Sequence, residues 1–477
     1  MNTLTNVQNL PLSLDKTLAY QRAAFLKDGP PSITQRRASL DKLRSAVLLH
    51  KTQFEEALIA DFGNRSRHET AIMEIMTVIQ GIDYLKSNLR KFMRPERRHV
   101  PMNFQPARAY VTYQPLGVIG IMAPWNYPVV LSLMPLATAI AAGNRAMIKP
   151  SEITPITSNL MEKILLNTFT NNEVAVFQGD ASVGIAFSKL AFDHLFFTGS
   201  TSVGRHIMKA ASDNLVPVTL ELGGKSPVLV AQNHPIEHAA KQVAQGKLAN
   251  CGQTCVSPDY MLIHESQVER FTQAYDAAIR EMYPDGPLSN QYTSIVNNNH
   301  FDRISTLVED ARNKNAKVFE MGVRPHEAKN RAHTLPPIVL VNVSDDMSVM
   351  QEEIFGPILP VVTYRDIDEA IAYVNARPRP LALYYFGDDN VQRRKVMTRT
   401  ISGNVCINTT ILHFALDDLP FGGIGSSGMG SYHGIEGFRS MSHAKGTLVT
   451  GKWNMSSLLV KPPFGYIANF ILKTVLR

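Results

Sequence analysis

Apolar residues at helical spacing mark the first part of the chain. Between residues 33 and 92 they recur every three or four positions, as Ile75, Ile79 and Ile82 do, which is the period of one helix face. We predict two or three long amphipathic helices there. The segment Gln105 to Gln114 has a β-like composition that ends at Pro115. It is predicted to be an arm strand outside the main sheet.

Short apolar runs alternate with helical patterns between Gly117 and Glu221. The predicted strands are Val118 to Met122, Ala146 to Lys149, Val174 to Gln178, His194 to Phe197 and Val216 to Glu221. The predicted helices lie near Val130 to Ala142, Pro155 to Leu166, Ser182 to Leu190 and Ser202 to Ser212. Such alternation is typical of a mostly parallel α/β sheet, which binds ligands at the carboxyl ends of its strands.

The second half repeats this style. A helical pattern covers Asp366 to Asn375, and strand-like runs cover Pro380 to Phe386 and Gly403 to Asn408. We predict a second α/β domain over residues 223–440, whose first long helix, Pro235 to Leu248, leads to Cys255. The other predicted units are a first domain (1–100 with 116–222), an arm (101–115 with 441–460) and a tail (461–477).

Composition excludes several classes of protein. The chain has 477 residues, 44% hydrophobic and 19% charged, as an ordinary globular protein does. Three cysteines are too few for a disulfide framework and fit a reducing compartment, so we predict a cytoplasmic protein. The net charge of +7 is densest between Lys86 and Arg98, but no recognition motif there indicates nucleic acid. Residues 1–9 lack the features of a secretion signal.

Two segments of the chain are apolar enough to be considered as membrane spans. No charged residue occurs from Ala109 to Asn144. Four prolines interrupt this segment, so we predict a buried strand, a loop and a buried helix there. The apolar segment Phe464 to Leu476 is too short to cross a bilayer, and we expect it to dock on the protein itself. No stable membrane span is therefore predicted.

Glycine-marked turns suggest where a nucleotide binds. Gly199 and Ser200 follow a predicted strand and precede a predicted helix. Unpaired N–H groups at a helix amino terminus suit a pyrophosphate, although many such turns are only tight connections. The spacing from Gly199 to Gly204 differs from the usual dinucleotide fingerprint. That fingerprint occurs nominally at 423–428, where no helix follows, and we predict a flexible loop there.

Several polar residues follow predicted strands. Lys149 and Glu152 either hydrogen-bond the two hydroxyls of a ribose or form a surface ion pair. Glu221 precedes two glycines that allow close backbone approach, although an isolated strand-end glutamate is more often solvated. Asn126 offers a neutral amide of the kind that stabilises an oxyanion. Cys255 follows a helix in a glycine-containing segment, yet a free cysteine is usually an inert buried residue.

Taken together, seven motifs in order identify the chain as similar to the aldehyde dehydrogenase family, from about residue 20 to 455. They are Pro124-Trp125-Asn126-Tyr127-Pro128, Lys149-Pro150-Ser151-Glu152, Phe197-Thr198-Gly199-Ser200, Glu221-Leu222-Gly223-Gly224-Lys225, Gly252-Gln253-Thr254-Cys255, Glu353-Ile354-Phe355-Gly356-Pro357 and Pro420-Phe421-Gly422-Gly423. Within the family, residues 429–434 with Ser442 and His443 resemble the class 3 type. The string from His413 to Pro420 resembles bacterial coniferyl aldehyde dehydrogenases.

The resemblance implies a Rossmann-type NAD-binding domain, an α/β catalytic domain and a β-arm for oligomerisation. It implies that Cys255 attacks the aldehyde carbon and that Asn126, with the Cys255 N–H, holds the resulting oxyanion. Glu221 would then activate the water that releases the acid. The substrate class that it implies is aromatic or medium-chain apolar aldehydes, with coniferyl aldehyde as the specific prediction.

The resemblance also implies a cofactor site. Its expected residues are Trp125, Lys149, Glu152, Gly199, Ser200, Gly204, Leu222, Glu353 and Phe355. Glu353 would bind the nicotinamide ribose, Lys149 and Glu152 the adenosine ribose, and Gly199 with Ser200 the pyrophosphate. NAD is favoured over NADP because Glu152 repels a 2′-phosphate, although Lys149 attracts one. A homodimer is expected through arm strands, formed by Gln105 to Gln114 and the segment near Thr447 to Trp453.

Three alternatives remain. A relative that transfers the acyl group to coenzyme A is disfavoured by Glu221, because that chemistry must exclude water. A thiol hydrolase would pair Cys255 with a histidine, but His413 and His433 are better explained as loop residues near a substrate tunnel. A non-catalytic nucleotide-binding protein would not need Cys255, Glu221 and Asn126 together. No zinc site is predicted, since only Cys251 lies near Cys255, on the same face if the segment is helical.

Overall fold

The protein is described by a computed structural model that covers residues 13–323, 331–452 and 461–476. Residues 1–9, for which we predicted no secretion signal, and residues 453–460 of the predicted arm lie outside this part of the chain. The amino-terminal helices are α1 (Leu14–Asp28), α2 (Ile33–Leu49), α3 (Lys51–Phe62), α4 (Arg67–Glu69) and α5 (Thr77–Phe92). The predicted amphipathic helices are therefore confirmed, with a π-helix, Thr70–Met76, inserted before α5.

A six-stranded sheet occupies the first half, as predicted. Its strands run in the order β15-β7-β6-β3-β4-β5 and are parallel except for β15. They are β3 (Val118–Met122), β4 (Arg145–Lys149), β5 (Val174–Val176), β6 (His194–Thr198), β7 (Val218–Glu221) and β15 (Gly428–Met429). The helices between them are α6 (Val130–Ala142), α7 (Pro155–Thr168), α8 (Ala181–Ser188) and α9 (Thr201–Ser212). Every residue of α6 is buried in the protein, which explains its uncharged sequence.

A seven-stranded sheet occupies the second half, in the order β10-β11-β12-β9-β8-β13-β14. Its strands are β8 (Pro227–Val230), β9 (Tyr260–His264), β10 (Lys317–Glu320), β11 (Ile338–Val341), β12 (Ile358–Tyr364), β13 (Ala382–Phe386) and β14 (Asn404–Ile407). Its helices are α10 (Ile236–Leu248), α11 (Val268–Met282), α12 (Asn298–Asn313), α13 (Ser348–Gln351), α14 (Ile367–Asn375) and α15 (Asn390–Arg399). Helix α16 (Gly434–Ser440) instead packs on α5 and α6. Only β10 is antiparallel within this described sheet.

A separate three-stranded sheet forms the arm. It joins β1 (Glu96–Arg98), β2 (Arg108–Pro115) and β16 (Ser442–Val449) in antiparallel pairs. The pairing of β2 with β16 runs from Ser442 opposite Pro115 to Val449 opposite Arg108. The arm strand outside the main sheets is therefore confirmed as far as Val449, and the predicted continuation to Trp453 ends outside the described residues.

The segment 423–428, which we predicted to be a flexible loop, leads into a strand. Gly428 of β15 lies opposite Glu221 of β7, and the Leu222 N–H donates to the Ser427 carbonyl at 3.0 Å. The glycines are required because this backbone approaches β7 closely: a Cβ on Gly428 would lie 2.0 Å from the Leu220 carbonyl oxygen. The last part of the chain therefore closes the edge of the first sheet.

The carboxyl-terminal helix α17 (Tyr466–Val475) does not dock on the body of the chain. Of its residues only Ala468 is buried, whereas Phe470 is 59% exposed and Val475 74% exposed. The docking that we predicted is therefore wrong for the single chain. Across the described ranges, no helix combines the length and the apolar character that crossing a membrane requires.

Candidate active site

The turn before Cys255 is not helical. Helix α10 ends at Leu248, and Asn250 and Cys251 then take left-handed backbone angles, with φ of 50° and 54°. The predicted common helical face for Cys251 and Cys255 is therefore wrong. The turn sends Cys251 into the core, where its Sγ donates to the Tyr292 hydroxyl at 3.4 Å. Cys255 is half-buried and lines a cavity instead.

That cavity, of about 510 Å³, lies between the two large sheets and is called here the cofactor-side cavity. Its lining includes eight of the predicted site residues: Cys255, Glu221, Asn126, Trp125, Gly199, Ser200, Glu353 and Phe355. Residues that the sequence did not single out also line it, among them Thr198, Thr201, His300 and Arg303. His300 packs on Trp125, with ring centroids 4.7 Å apart. The structure therefore brings together the three proposed catalytic residues and five of the nine expected cofactor contacts.

Four predicted residues do not line this cavity. Lys149 Nζ donates to Glu152 Oε2 at 2.6 Å, so these residues form an ion pair with each other. Gly204 and Leu222 pack together instead of facing the cavity. A Cβ on Gly204 would lie 2.7 Å from the Leu222 side chain, so glycine allows helix α9 to approach β7. Their contribution is to place the amino terminus of α9.

The amino terminus of α9 fits a pyrophosphate. Helix α9 begins at Thr201, and the Ser200 side chain accepts from the Val203 N–H at 3.4 Å. Gly199 and Ser200 line the cavity directly before the first turn. The positive end of a helix with unpaired N–H groups favours an anion. An anion bound at the start of α9 would therefore lie in the same cavity as Cys255.

Glu353 is held against the backbone at Gly223. A Cβ on Gly223 would lie only 2.0 Å from Glu353 Oε2, so a side chain at this position would displace the carboxyl group. Burial, followed by the nearby Asp259, raises the pKa of Glu353 to about 8. The segment that carries it is anchored by Lys225, which pairs with Asp259 and donates to the Glu352 carbonyl at 2.9 Å. Lys225 therefore orients the segment that carries Glu353. From the sequence, Lys225 was only part of a family motif, and no role was assigned to it.

Cys255 and Glu221 both lie in a medium that disfavours charge. Burial, with smaller contributions from Glu353 and Glu221, raises the pKa of the Cys255 thiol to about 12. Burial alone raises the pKa of Glu221 well above its ordinary value. Neither carboxyl oxygen of Glu221 has a hydrogen-bond partner among the described residues. Glu221 is therefore free to bind a water molecule or to accept a proton.

Asn126 points its amide at the cysteine turn. Its side chain is 3% exposed, and Nδ2 donates to the Gln253 carbonyl at 3.1 Å. Asn250 Nδ2 donates to the main-chain carbonyl of Asn126 at 3.0 Å and to that of Gln253 at 3.1 Å. The amide of Asn126 is therefore fixed next to the turn that ends at Cys255.

A second, smaller cavity of about 140 Å³ is also lined by Cys255 and is called here the apolar cavity. Most of its lining is apolar, and the residues are Ile72, Met73, Met76, Thr77, Gln80, Tyr127, Leu131, Thr254, Cys255, Val256, Ile411, Leu412, Phe414 and Ala415. It shares only Cys255 with the cofactor-side cavity. A hydrophobic molecule in the apolar cavity would therefore meet the Cys255 thiol among residues that do not line the cofactor-side cavity.

His413 lies in the 3₁₀-helix Leu412–Ala415, whose Leu412 and Phe414 line the apolar cavity, and His433 lies in the bend that precedes α16. Both are buried, and neither lines the apolar cavity, although Phe414 does. His413 Nδ1 lies 2.9 Å from Cys406 Sγ, so it pairs with a different cysteine from the predicted one. Burial lowers the pKa of each histidine to about 4, which keeps both neutral. Nothing in this arrangement supports a cysteine–histidine hydrolase at Cys255.

Comparison with known proteins decides the family. A profile of the aldehyde dehydrogenase family matches residues 13–447. The chain belongs to the aldehyde dehydrogenase family. It is 49% identical over 452 residues to a probable coniferyl aldehyde dehydrogenase of Pseudomonas aeruginosa, covering 95% of this chain and 94% of that protein. It is also 44% identical over 464 residues to a coniferyl aldehyde dehydrogenase of Pseudomonas sp. strain HR199, covering 97% and 96%.

Solved structures of aldehyde dehydrogenases confirm the fold. The substrate-bound Staphylococcus aureus AldH is 36% identical and superposes with a TM-score of 0.91, over 98% of this chain and 100% of that one. An NAD⁺ complex of an aldehyde dehydrogenase from Bacillus cereus is 25% identical with a TM-score of 0.82, covering 92% and 89%. The predicted α/β aldehyde dehydrogenase fold and the likeness to coniferyl aldehyde dehydrogenases are therefore both confirmed.

Proposed function

We propose that this aldehyde dehydrogenase oxidises an aromatic aldehyde such as coniferyl aldehyde to its carboxylic acid, with NAD(P) as the oxidant. The observation that carries the proposal is the position of Cys255, which lines both the cofactor-side cavity and the apolar cavity. An aldehyde in the apolar cavity presents its carbonyl carbon to the thiol. The cofactor-side cavity is within the size range of small-molecule sites.

The first half of the reaction is addition of the thiol. The Cys255 sulfur adds to the aldehyde carbon and forms a thiohemiacetal, whose oxyanion accepts from the Asn126 amide and the Cys255 N–H. Because the pKa of the thiol is raised to about 12, its proton must pass to a base during attack. Glu221 lines the same cavity and serves as that base. A nicotinamide held in the cofactor-side cavity would supply the acceptor for the hydride of the substrate carbon, and Cys255 would then carry the acyl group as a thioester.

The second half is hydrolysis of the thioester. Glu221 first releases the proton of the thiol to solvent; it then takes a proton from a water molecule, and the hydroxyl oxygen adds to the thioester carbon. The carbon–sulfur bond then breaks, the acid leaves, and the thiol regains a proton. Burial raises the pKa of Glu221, which makes its carboxylate a stronger base. Its unpartnered oxygens in the described chain support this role.

NAD is the proposed cofactor. The Glu353 carboxyl at Gly223 would hold the nicotinamide ribose, and Gly199 with Ser200 the pyrophosphate. Lys149 is paired with Glu152 at 2.6 Å, so its charge is already compensated. A 2′-phosphate beside this pair would meet the carboxylate of Glu152, which favours NAD over NADP.

A homodimer formed through the arm is also proposed. Strand β16 leaves Leu448 57% exposed and Val449 48% exposed, which supports its use as an interface between copies. Light scattering that gives a monomer mass would contradict the dimer.

The cytoplasm remains the predicted compartment. Cys251, Cys255 and Cys406 are all unpaired thiols, which supports a reducing compartment.

A substrate screen tests the proposed function. Reduction of NAD⁺ and NADP⁺ is followed with coniferyl aldehyde, benzaldehyde and a series of linear aldehydes. We expect the highest kcat/KM for coniferyl aldehyde with NAD⁺, and ferulic acid as the product. Added coenzyme A should neither raise the rate nor appear in the product. Thioester or ester hydrolysis without any nicotinamide reduction would refute the proposal.

A further inference from the structure

A buried ion pair lies behind the loop that carries Asn126. Arg65 Nη2 lies 3.1 Å from Glu74 Oε1, and neither side chain has any exposed surface. The guanidinium carbon of Arg65 lies 4.7 Å from the ring centroid of Phe62 and 4.9 Å from that of Tyr127. The pair is therefore held by protein groups alone.

The pair contacts both ends of one loop segment. Arg65 Nη1 donates to the main-chain carbonyl of Asn126 at 2.7 Å. Glu74 Oε2 accepts from the N–H groups of Val129 and Val130 at 2.8 and 2.9 Å, where helix α6 begins. Residues 126–130 are thus fixed at two points by two charges that are bound to each other. A shift of either charge would move the backbone of Asn126.

Stability alone does not explain such a pair. Removing two charges from water costs several kcal/mol per ion, and apolar replacements are often neutral or stabilising. Glu74 also lies in the π-helix Thr70–Met76, a rare wide turn that is often found at functional sites. Ile72, Met73 and Met76 of the same π-helix line the apolar cavity. One turn therefore contacts both the Asn126 loop and the substrate side.

We propose that Arg65 and Glu74 are positioning residues that hold the Asn126 amide where the substrate oxyanion forms. The proposal rests on the proposed function, in which Asn126 donates to that oxyanion. Asn250 binds the same carbonyl of Asn126 at 3.0 Å from the cysteine turn, so the loop is fixed from both sides. The ion pair acts through Asn126 and does not touch the reacting atoms.

The first test uses Arg65→Lys, which keeps the charge but removes the forked donor that reaches two acceptors. The rate of NADH formation in the first turnover is measured with coniferyl aldehyde. We expect this rate to fall by about 10- to 100-fold, because a displacement of a catalytic group by about 1 Å can lower the rate by up to about 100-fold. Alkylation of Cys255 by iodoacetamide should keep its rate, because that displacement forms no oxyanion. NAD⁺ affinity should also stay unchanged.

A double-mutant cycle separates this proposal from the proposed function. Asn126→Ala is made alone and with Arg65→Lys. If the ion pair acts through Asn126, Arg65→Lys has no further effect on the first-turnover rate in the Asn126→Ala background. An equal fall in both backgrounds would overturn the positioning role. An unchanged rate for Asn126→Ala alone would instead refute the assignment of Asn126 in the proposed function.

Arg36→Lys is the matched control. Arg36 is 4% exposed and donates to the Ala141 carbonyl at 2.9 Å, near the other end of helix α6. The Arg36→Lys variant should have a lower Tm than the wild type but the same first-turnover rate. If Arg65→Lys does not fold, Glu74→Gln keeps the side-chain shape and is measured in the same way, with an expected fall of about 10-fold. A folded variant of the pair that loses only Tm, as the control does, would show a purely structural role and overturn the proposal.

Discussion

The cofactor-side cavity and the apolar cavity share Cys255 but are built from different parts of the chain. Strand-end turns line the first, through residues such as Asn126, Ser200 and Glu221. The π-helix Thr70–Met76 and a 3₁₀-helix, Leu412–Ala415, line the second. Turns on a rigid sheet fix hydrogen-bonding and charged groups, whereas apolar side chains on helices set shape. Changes on the first side should therefore alter chemistry, and changes on the second should alter which aldehyde is accepted.

The largest effect is expected where the cavities meet. Cys255→Ser should lower NAD⁺ reduction by about 10³-fold or more, because a hydroxyl is a far weaker nucleophile than a thiolate. Cys251→Ser is the control, since Cys251 faces Tyr292 in the core and lines neither cavity. It should keep most of the activity. Steady-state kinetics measure both variants, and equal losses would mean that the two cysteines do not differ as the cavities indicate.

The next effect is on the cofactor side alone. Glu221→Gln should lower the steady-state rate by about 10²-fold, because general-base catalysis contributes about that much. The acyl-enzyme should then accumulate on Cys255, and intact-protein mass spectrometry during turnover measures it. A variant that turns over at the full rate would remove Glu221 from the mechanism.

A smaller effect is expected on the apolar side. Phe414→Leu should lower kcat/KM for coniferyl aldehyde by about 5-fold, because an aromatic contact contributes about 1 kcal/mol. The KM for NAD⁺ and the kcat/KM for a short linear aldehyde should change little. If Phe414→Leu instead raised the KM for NAD⁺, the two cavities would not have the separate roles that are expected of them.

The smallest effect concerns stability on the cofactor side. Glu353 has a folded-state pKa of about 8 against an ordinary value of 4.5, so the folded protein holds a proton that the unfolded chain releases. Wild-type stability therefore falls as pH rises from about 4.5 to about 8. Glu353→Gln removes this penalty, and its Tm should exceed that of the wild type by roughly 1 to 3 °C at pH 8 but not at pH 4.5. Calorimetry at both pH values measures this, and equal differences at the two would contradict the raised pKa.

Sequence was sufficient for the cofactor side. Short continuous apolar runs predicted the strands β3, β6 and β7 to within a few residues, and polar residues at their ends were expected to meet at one sheet edge. Asn126, Glu221 and Ser200 therefore came together as predicted. Gly204 and Leu222 lie on the predicted elements but pack on each other instead of lining the cavity. The sequence shows a glycine at position 204 but does not show which residue packs against it.

The substrate side was not predictable in the same way. The π-helix reads as ordinary helix, since widening one turn leaves the apolar period nearly unchanged. Nothing in the sequence singles out Arg65 and Glu74, because the main-chain groups that they bind lie more than 50 residues away in sequence. The left-handed turn at Asn250 and Cys251 was also missed, since neither residue is a glycine. Tertiary contacts, not local preference, determine all three.

The pairing of β15 with β7 has a consequence for how the protein is made. Glu221 emerges from the ribosome long before Gly428, the residue that lies opposite it in the finished sheet. The interval is about 200 residues, or roughly 10 to 40 s at the usual 5–20 residues per second. During translation, the edge of β7 that later pairs with β15 therefore has no strand partner for this interval. The enzyme acquires its complete catalytic edge only when the last tenth or so of the chain has been synthesised.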